Sequence, residues 1–309
     1  MNEHACAVRL HGVRKHYRHF DLGPLDLEVA TGSIMGFIGA NGAGKSTTIR
    51  ILMGLLHPDA GAVEVLGYAV PRQQVHAKRD IGFVSEDLRL YKAATIGWHM
   101  EFVRGIYPGW DPAYAAQLLR RFDLKAEHRI KGLSHGQRVK AALLLALARK
   151  PRLLVLDEPT TGLDPVARHE VLQSLAEVLA DEQRSVLFSS QNTLDVEQIS
   201  DSICFIDQGQ IIDCAGKEDV LDRWRRIRLE VPPGKRLPPL PGVLAVAGSE
   251  RLPVLTTDRY TESLAAACQQ AGAALRAVEP MTLEEIFVSR VTARRQEAGS
   301  ANPPCRSAA

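Results

Sequence analysis

The run Ile34-Met-Gly-Phe-Ile-Gly-Ala-Asn-Gly-Ala-Gly-Lys-Ser-Thr-Thr-Ile-Arg-Ile-Leu-Met-Gly-Leu-Leu56 decides how this chain is read. Ile34–Ile38 is a short apolar stretch of strand length, and the pattern from Thr47 to about Leu56 is helical. Between them Gly39, Ala40, Asn41, Gly42, Ala43, Gly44, Lys45, Ser46 and Thr47 satisfy G-x-x-x-x-G-K-[ST]. Glycines let the backbone wrap closely, so amide N–H groups point inward at phosphate oxygens. The helix N-terminus adds its dipole, Lys45 can reach the β- and γ-phosphates, and the Ser46 hydroxyl can ligate Mg²⁺. A glycine-rich turn that only happens to precede a lysine would need neither the strand before it nor the helix after it. The stretch reads as a nucleoside triphosphate site.

A second element lies 112 residues beyond Lys45: Leu153-Leu-Val-Leu-Asp-Glu158, an apolar strand ending in two adjacent carboxylates. Asp157 at the strand end is placed to hold the Mg²⁺ shell, and Glu158 to polarise a water aimed at the γ-phosphate. Strands ending in solvated acids are common, but here the strand accompanies a phosphate loop.

Outward from these elements, residues 5–224 alternate strand-like runs with helical patterns, as an α/β domain does. Strand candidates are Ile34–Ile38, Ile81–Val84, Leu153–Leu156, Ser185–Phe188 and Ile203–Ile206. Residues 86–131 turn helical, with Trp98, Phe102, Tyr107, Trp110 and Tyr114, and read as a helical insertion. Residues 231–242 carry five prolines, which break regular structure and mark a boundary or an edge loop. Residues 225–292 read as a small α+β appendage, with strands at Val243–Ala247 and Val254–Thr256 and a helix from Thr261 to Ala274. A last helix opens with the capping-box spacing Thr282-Leu-Glu-Glu285 and runs to about Val291. The polar tail, 293–309, is expected to be disordered.

The 309 residues include 38 basic and 36 acidic ones, a net charge of +2, which gives no nucleic-acid footprint. A hydrophobic fraction of 45% supports an ordinary globular core. The longest aliphatic run, Ala141–Ala148, falls well short of the ~20 residues that cross a bilayer. Met1–His4 shows no signal-peptide pattern. Five scattered cysteines (Cys6, Cys204, Cys214, Cys268, Cys305) without a C-x-x-C pair fit a reducing compartment, not a disulfide framework or zinc site. The expectation is a cytoplasmic chain.

Between the phosphate loop and the acidic strand stands Leu133-Ser-His-Gly-Gln137, opening a helix that runs through Ala141–Ala148. Pro159-Thr-Thr-Gly-Leu-Asp-Pro165 follows the acidic pair. This ordered set resembles the nucleotide-binding subunits of ATP-binding cassette (ABC) transporters, whose signature is Leu-Ser-Gly-Gly-Gln, over about residues 6 to 222. The closing Thr282-Leu-Glu-Glu-Ile-Phe287 is similar to the tail of ABC-2-type exporter subunits. The resemblance implies an α/β P-loop NTPase of ABC type: a mixed-sheet core with a helical insertion, plus the small α+β appendage. It implies two copies paired head to tail, a homodimer being expected. ATP and Mg²⁺ would lie between Gly39–Thr47 of one copy and Ser134, His135, Gly136 and Gln137 of the other. Ser134 and the Gly136 N–H, at a helix N-terminus, suit the γ-phosphate. Tyr17 matches the aromatic that stacks on adenine, its alternative being an ordinary packing aromatic. Asp164 matches the residue that communicates across the dimer, its alternative being a turn aspartate before Pro165. A separate transmembrane permease would dock at the insertion, on the inner face of the membrane. Leu90 and Tyr91 are the expected anchors, and most of the other aromatics the insertion's own core.

Three positions depart from the family pattern. Glu86 stands where a glutamine is usual; it can ligate Mg²⁺ with a full charge but would repel the γ-phosphate. Gln191 replaces the switch histidine; its amide can donate to the γ-phosphate but cannot carry positive charge. His135 replaces the first signature glycine, which is tolerable if its backbone angles are ordinary. These variants either preserve hydrogen-bonding capacity or make hydrolysis slow and partner-dependent. The resulting reading is an ATP-hydrolysing subunit powering export, with Glu158 as general base and Gln191 as its helper. Ser46, Asp157 and Glu86 would surround Mg²⁺. The alternative is a weakly hydrolysing ATP-dependent switch that gates a membrane partner. A chromosome-organising ATPase would need sustained heptads between the two elements, and a translation-associated ATPase two cassettes. A GTPase or small-molecule kinase would lack Leu133–Gln137 and Pro159–Pro165.

Overall fold

Leu153-Leu-Val-Leu-Asp157 is buried along its whole length, as a strand is inside a sheet covered on both faces. The computed structural model describes residues 6–87, 89–180 and 184–300, in two compact units, one up to Cys214 and one from Ala215. In the first unit, β1 (Cys6–Tyr17) and β2 (Phe20–Ala30) form a hairpin and lead into β3 (Ile34–Ile38) and α1 (Lys45–Leu52). Then come β4 (Ala60–Val65), β5 (Tyr68–Val70), α2 (Gln74–Arg79) and β6 (Ile81–Ser85). The inserted helices α3 (Ile96–Ile106) and α4 (Pro112–Arg121) precede α5 (His135–Leu147) and β7 (Leu153–Asp157). The unit closes with α6 (Pro165–Ala180), β8 (Ser185–Ser190), α7 (Thr193–Ile199), β9 (Ser202–Asp207) and β10 (Gln210–Gly216).

These strands make two sheets, β2-β1-β4-β5 and β10-β9-β3-β8-β7-β6. From β9 to β6 the second sheet is parallel. Leu10 and Leu27 of the first sheet and Phe37, Val155 and Leu187 of the second belong to one buried apolar cluster. The α/β reading therefore holds, and all five expected strands of the parallel sheet are present. The long β1–β2 hairpin was not singled out in the sequence. Register shifts along it, as between Leu10 and Val13, break the alternation that advertises a strand.

The second unit carries α8 (Lys217–Arg223), β11 (Arg225–Glu230), β12 (Val243–Gly248), β13 (Pro253–Thr257), α9 (Glu262–Gln270), β14 (Ala274–Pro280) and α10 (Leu283–Ser300). Its antiparallel sheet has the order β12-β13-β11-β14. Composition placed the division at 224/225, whereas the backbone divides at 214/215. The proline-rich residues 231–242 are a loop inside this unit, between β11 and β12. The helix expected to reach Ala274 stops at Gln270, because Gly272 is left-handed (φ 86) and lets the Ala273 N–H reach back to Cys268 O at 3.1 Å. The alanine-rich segment after it is strand β14 instead. At the start of α10 the expected capping box forms: Glu285 Oε2 accepts from Thr282 N (3.0 Å) and Thr282 Oγ1 from Glu285 N (3.3 Å). That helix continues to Ser300, past Val291 and into the tail expected to lack structure; residues 301–309 lie outside the described ones. Among the described residues no helix is long and apolar enough to cross a membrane.

Leu187 is fully buried in the centre of the parallel sheet. Leu187→Ala is expected to destabilise the first unit by about 2–5 kcal/mol through lost burial and the cavity left behind. Urea denaturation followed by circular dichroism checks this.

Candidate functional site

Parallel neighbours end on the same edge of a sheet, so β3, β8 and β7 deliver their last residues to one place. Register pairs Phe37 with Ser189 and Ser189 with Asp157, setting the acidic strand end beside the turn from β3 into α1. That turn requires Gly44: its φ is 112, and a Cβ there would lie 2.6 Å from Leu22 Cδ1. The turn between β9 and β10 props the loop from behind, since Gly209 N donates to Ala43 O (2.9 Å) while Gly209 O accepts from Gly23 N (2.7 Å).

Four of the expected residues meet here. Lys45 Nζ donates to Gly39 O (2.7 Å) and Ala40 O (3.2 Å) and lies 3.0 Å from Glu158 Oε1. Ser46 Oγ donates to Asp157 Oδ1 at 3.3 Å. Lys45, Asp157 and Glu158 are all buried. Glu158 has a positive φ of 51, a conformation uncommon for a residue with a side chain. It is secured there on several sides. Its N–H reaches Ser189 O (3.2 Å) and Ser189 Oγ (3.1 Å), and Thr161 Oγ1 donates to its Oε2 (2.9 Å). Ser189 Oγ in turn donates to Asp157 Oδ1 at 2.7 Å. Sequence reasoning missed Ser189 and Thr161. The only signal for Ser189 was a serine pair ending an apolar strand next to the phosphate loop.

Comparison with known proteins agrees with this geometry. The ABC transporter family matches residues 22–161. Daunorubicin resistance ATP-binding protein DrrA3 of Streptomyces coeruleorubidus is 33% identical over 300 residues, covering 91% of this chain and 95% of that protein. The chain belongs to the ABC transporter family. Nod factor export ATP-binding protein I of Bradyrhizobium diazoefficiens (strain JCM 10833 / BCRC 13528 / IAM 13628 / NBRC 14792 / USDA 110) is 36% identical over 228 residues, 72% of this chain and 74% of that one. A solved ATP-binding subunit of an ABC transporter superposes with a TM-score of 0.62 at 27% identity, over 70% of this chain and 92% of that one. As a member of this family, the chain is an ATP-binding, ATP-hydrolysing transporter subunit.

The other residues named from the sequence have surroundings of their own. Ser134 caps α5 through a complete capping box with Gln137 (Gln137 N to Ser134 Oγ 3.1 Å, Ser134 N to Gln137 Oε1 3.0 Å). In the box both side chains act as acceptors, so it consumes neither the Ser134 hydroxyl hydrogen nor the Gln137 amide hydrogens. His135 is the first residue of α5 and has no positive φ, so glycine is not required there. Gly136 is buried, and a Cβ on it would lie 3.2 Å from Ala167 Cβ. Asp164 caps α6, with Oδ1 accepting from Val166 N and Ala167 N at 3.0 Å each. Tyr17 is exposed at the end of β1, its ring 6.4 Å from that of Phe20. Phe20 itself packs beside Gly44.

Glu86 donates its N–H to Asp157 O (3.1 Å), which ties the turn after β6 to the acidic strand. The residue is exposed at a cavity of about 430 Å³ that Glu158, His135, Lys92, Lys131 and Arg138 also line. Gln191 is exposed just beyond β8. In the insertion, Tyr91 packs edge-on to Trp98 (5.6 Å) and beside His99 (6.0 Å), while Leu90 borders both this cavity and a groove of about 240 Å³. Trp98 and Phe102 stack at 5.2 Å yet stay 46% and 48% exposed, so they form a surface ridge and are not among the aromatics of the insertion's core, where most were expected. Trp110 is buried as expected.

Ser189 holds both carboxylate residues, so Ser189→Ala is expected to lower ATP turnover about tenfold or more, the worth of a hydrogen bond to a charged group. Steady-state phosphate release, beside an unchanged far-ultraviolet spectrum, checks it.

Proposed function

We propose that this chain powers export through a separate membrane permease, working as a head-to-tail homodimer at the inner face of the membrane. The convergence of Lys45, Ser46, Asp157 and Glu158 at one sheet edge carries the reading. In each composite site ATP lies between Gly39–Thr47 of one copy and Ser134–Gln137 of the other, with Tyr17 stacked on the adenine. The export direction is supported by relatives named for Nod factor export and daunorubicin resistance. The exposed Tyr91, with Leu90 beside it, supplies the anchors for the permease. Asp164, on the helix whose N-terminus it caps, is the residue that senses the other copy.

Mg²⁺ suits the donor set. The Ser46 hydroxyl and Asp157 carboxylate are hard oxygen donors already 3.3 Å apart, and Glu86 offers a further carboxylate. Among the described residues no group of three or more His, Cys, Asp or Glu forms a metal cage, which fits an ion that takes most of its shell from phosphates and water. When bound, Mg²⁺ neutralises charge on the transferring phosphoryl group. The protein's own part begins with Lys45. Phosphate oxygens draw its ammonium from Glu158 Oε1, and the freed carboxylate accepts the proton of the attacking water. Thr161 keeps Oε2 oriented meanwhile. Gln191 donates its amide to the γ-phosphate.

The second reading, a slowly hydrolysing switch, is favoured by one observation: Glu158, the residue assigned as general base, is engaged in a buried ion pair with Lys45 at 3.0 Å. Mg²⁺-dependent hydrolysis by the purified chain separates the two. Glu158→Gln is expected to reduce turnover at least ~100-fold, as loss of a general base does, while leaving ATP binding intact. In gel filtration the same variant should run as a dimer only with ATP. Equal rates for wild type and Glu158→Gln would sink the catalytic assignment. Restoring charge with Gln191→His is expected to raise turnover, and an unchanged rate in the assembled complex would remove Gln191 from the machinery.

A further inference from the structure

Between α5 and the loop after β7 runs a short chain of hydrogen bonds. His135 Nε2 is 3.0 Å from Thr161 O, and Thr161 Oγ1 donates to Glu158 Oε2 at 2.9 Å. The Thr161 N–H also bonds back to Glu158 O at 3.2 Å, closing the loop on itself. A carbonyl oxygen can only accept, so His135 must carry its proton on Nε2 to make this contact. The ring is half-buried and lies beside Gly162, where a Cβ would meet Nε2 at 3.6 Å, an ordinary contact. Deeper in the same loop, Thr160 Oγ1 donates to the buried Asp195 Oδ2 at 2.6 Å, and Arg168 Nε to Asp195 Oδ1 at 2.6 Å. The loop is thus held from beneath by Asp195 and from the α5 side by His135.

We propose that His135 is a positioning residue for hydrolysis, fixing Thr161 so that the threonine hydroxyl orients the Glu158 carboxylate within the same protomer. The inference rests on Glu158 acting as the general base. Thr161 is a single residue using its carbonyl toward His135 and its hydroxyl toward Glu158. A change in the direction of its peptide therefore moves the hydroxyl. The imidazole also stands at the first position of α5, between Ser134 and Gly136. Any displacement of that helix start is felt at Thr161 through one hydrogen bond. Glutamine preserves this link, because its side-chain amide presents an N–H at nearly the reach of Nε2; alanine removes it.

The test compares wild type, His135→Ala and His135→Gln in steady-state ATP hydrolysis, together with the ¹⁵N shifts of the His135 imidazole in the nucleotide-free chain. The His135 signals are assigned by their loss in His135→Gln. His135→Ala is expected to lower kcat about five- to tenfold, the scale of one hydrogen bond, with KM for ATP changed less than about twofold. His135→Gln should recover kcat to within about twofold of wild type on the same scale. The ring should show the Nε2–H tautomer. An Nδ1–H tautomer overturns the proposal whatever the rates are. So does an unaltered kcat in His135→Ala, an equal loss in both variants, or a loss confined to KM. Glu158→Gln, run alongside, shows separately whether Glu158 is the base: if it keeps wild-type turnover, that reading fails, and the tautomer still decides whether the His135–Thr161 link exists.

Discussion

A buried lysine and a buried glutamate, 3.0 Å apart with side chains 5% and 10% exposed, set the terms for the rest of this molecule. Either charge alone would be expensive in that environment, because desolvation is only offset when a partner and further hydrogen bonds are in place. Lys45 has the carbonyls of Gly39 and Ala40, and Glu158 has the hydroxyl of Thr161. The phosphate loop and the acidic strand end are therefore each other's scaffold. The arrangement is also exchangeable. A phosphate competes for the lysine with the same kind of oxygen that the carboxylate presents, and in the proposed mechanism success by the phosphate frees the carboxylate to take a proton. On that proposal, structural support and catalytic readiness are two uses of one contact.

Holding that contact is a task for the sheet. Lys45 and Glu158 are far apart in sequence, but β3, β8 and β7 lie side by side and parallel, so distance along the chain has no bearing on distance at the edge. Ser189 shows how fine the positioning is. It is the penultimate residue of the strand between the other two and uses its hydroxyl twice, as acceptor from Glu158 N and donor to Asp157. The antiparallel sheet contributes from the other side, where Leu22 and Phe20 press on Gly44. The burial of this region is what makes each polar contact strong and each missing one costly.

How much of this could be read from residues alone follows from which interactions are local. The phosphate loop was legible because its strand, glycines, lysine and helix are contiguous and its chemistry depends on spacing. Asp157 and Glu158 were legible because a fully apolar strand ending in two acids is unusual beside such a loop. Thr282 and Glu285 were legible as a capping box for the same reason, whereas Ser134 and Gln137 were read as a signature and the box they form came from the structure. Ser189 and Thr161 were not, since their roles come from partners brought by the sheet or by a positive-φ turn at Glu158. In the second unit, the alanine-rich sequence from 261 favours a helix through Ala274. One left-handed glycine divides it into a helix and strand β14, whose place is set by pairing with β11. The extent of α10 was missed because its last turns are polar, which resembles a tail more than a packed helix.

Two of the three departures from the family pattern, Glu86 and His135, line one cavity, and the third follows a strand end that touches the acidic pair. Glu86 bonds through its backbone to Asp157, His135 through its ring to Thr161, and Gln191 follows Ser189 by two residues. Each is attached to, or lies beside, a residue that touches the acidic pair. Residues sharing partners in this way do not act independently, and their effects on stability or rate should not add. The imidazole that the family pattern places at the end of β8 is absent at 191, while another imidazole stands at 135 against Thr161. Glu86 adds a carboxylate to a cavity that Lys92, Lys131 and Arg138 make basic. What changes around the Glu158 carboxylate is therefore the kind of donor and charge at three positions. The physical unit to compare with other cassettes is this cluster as a whole, not any one of its substituted positions.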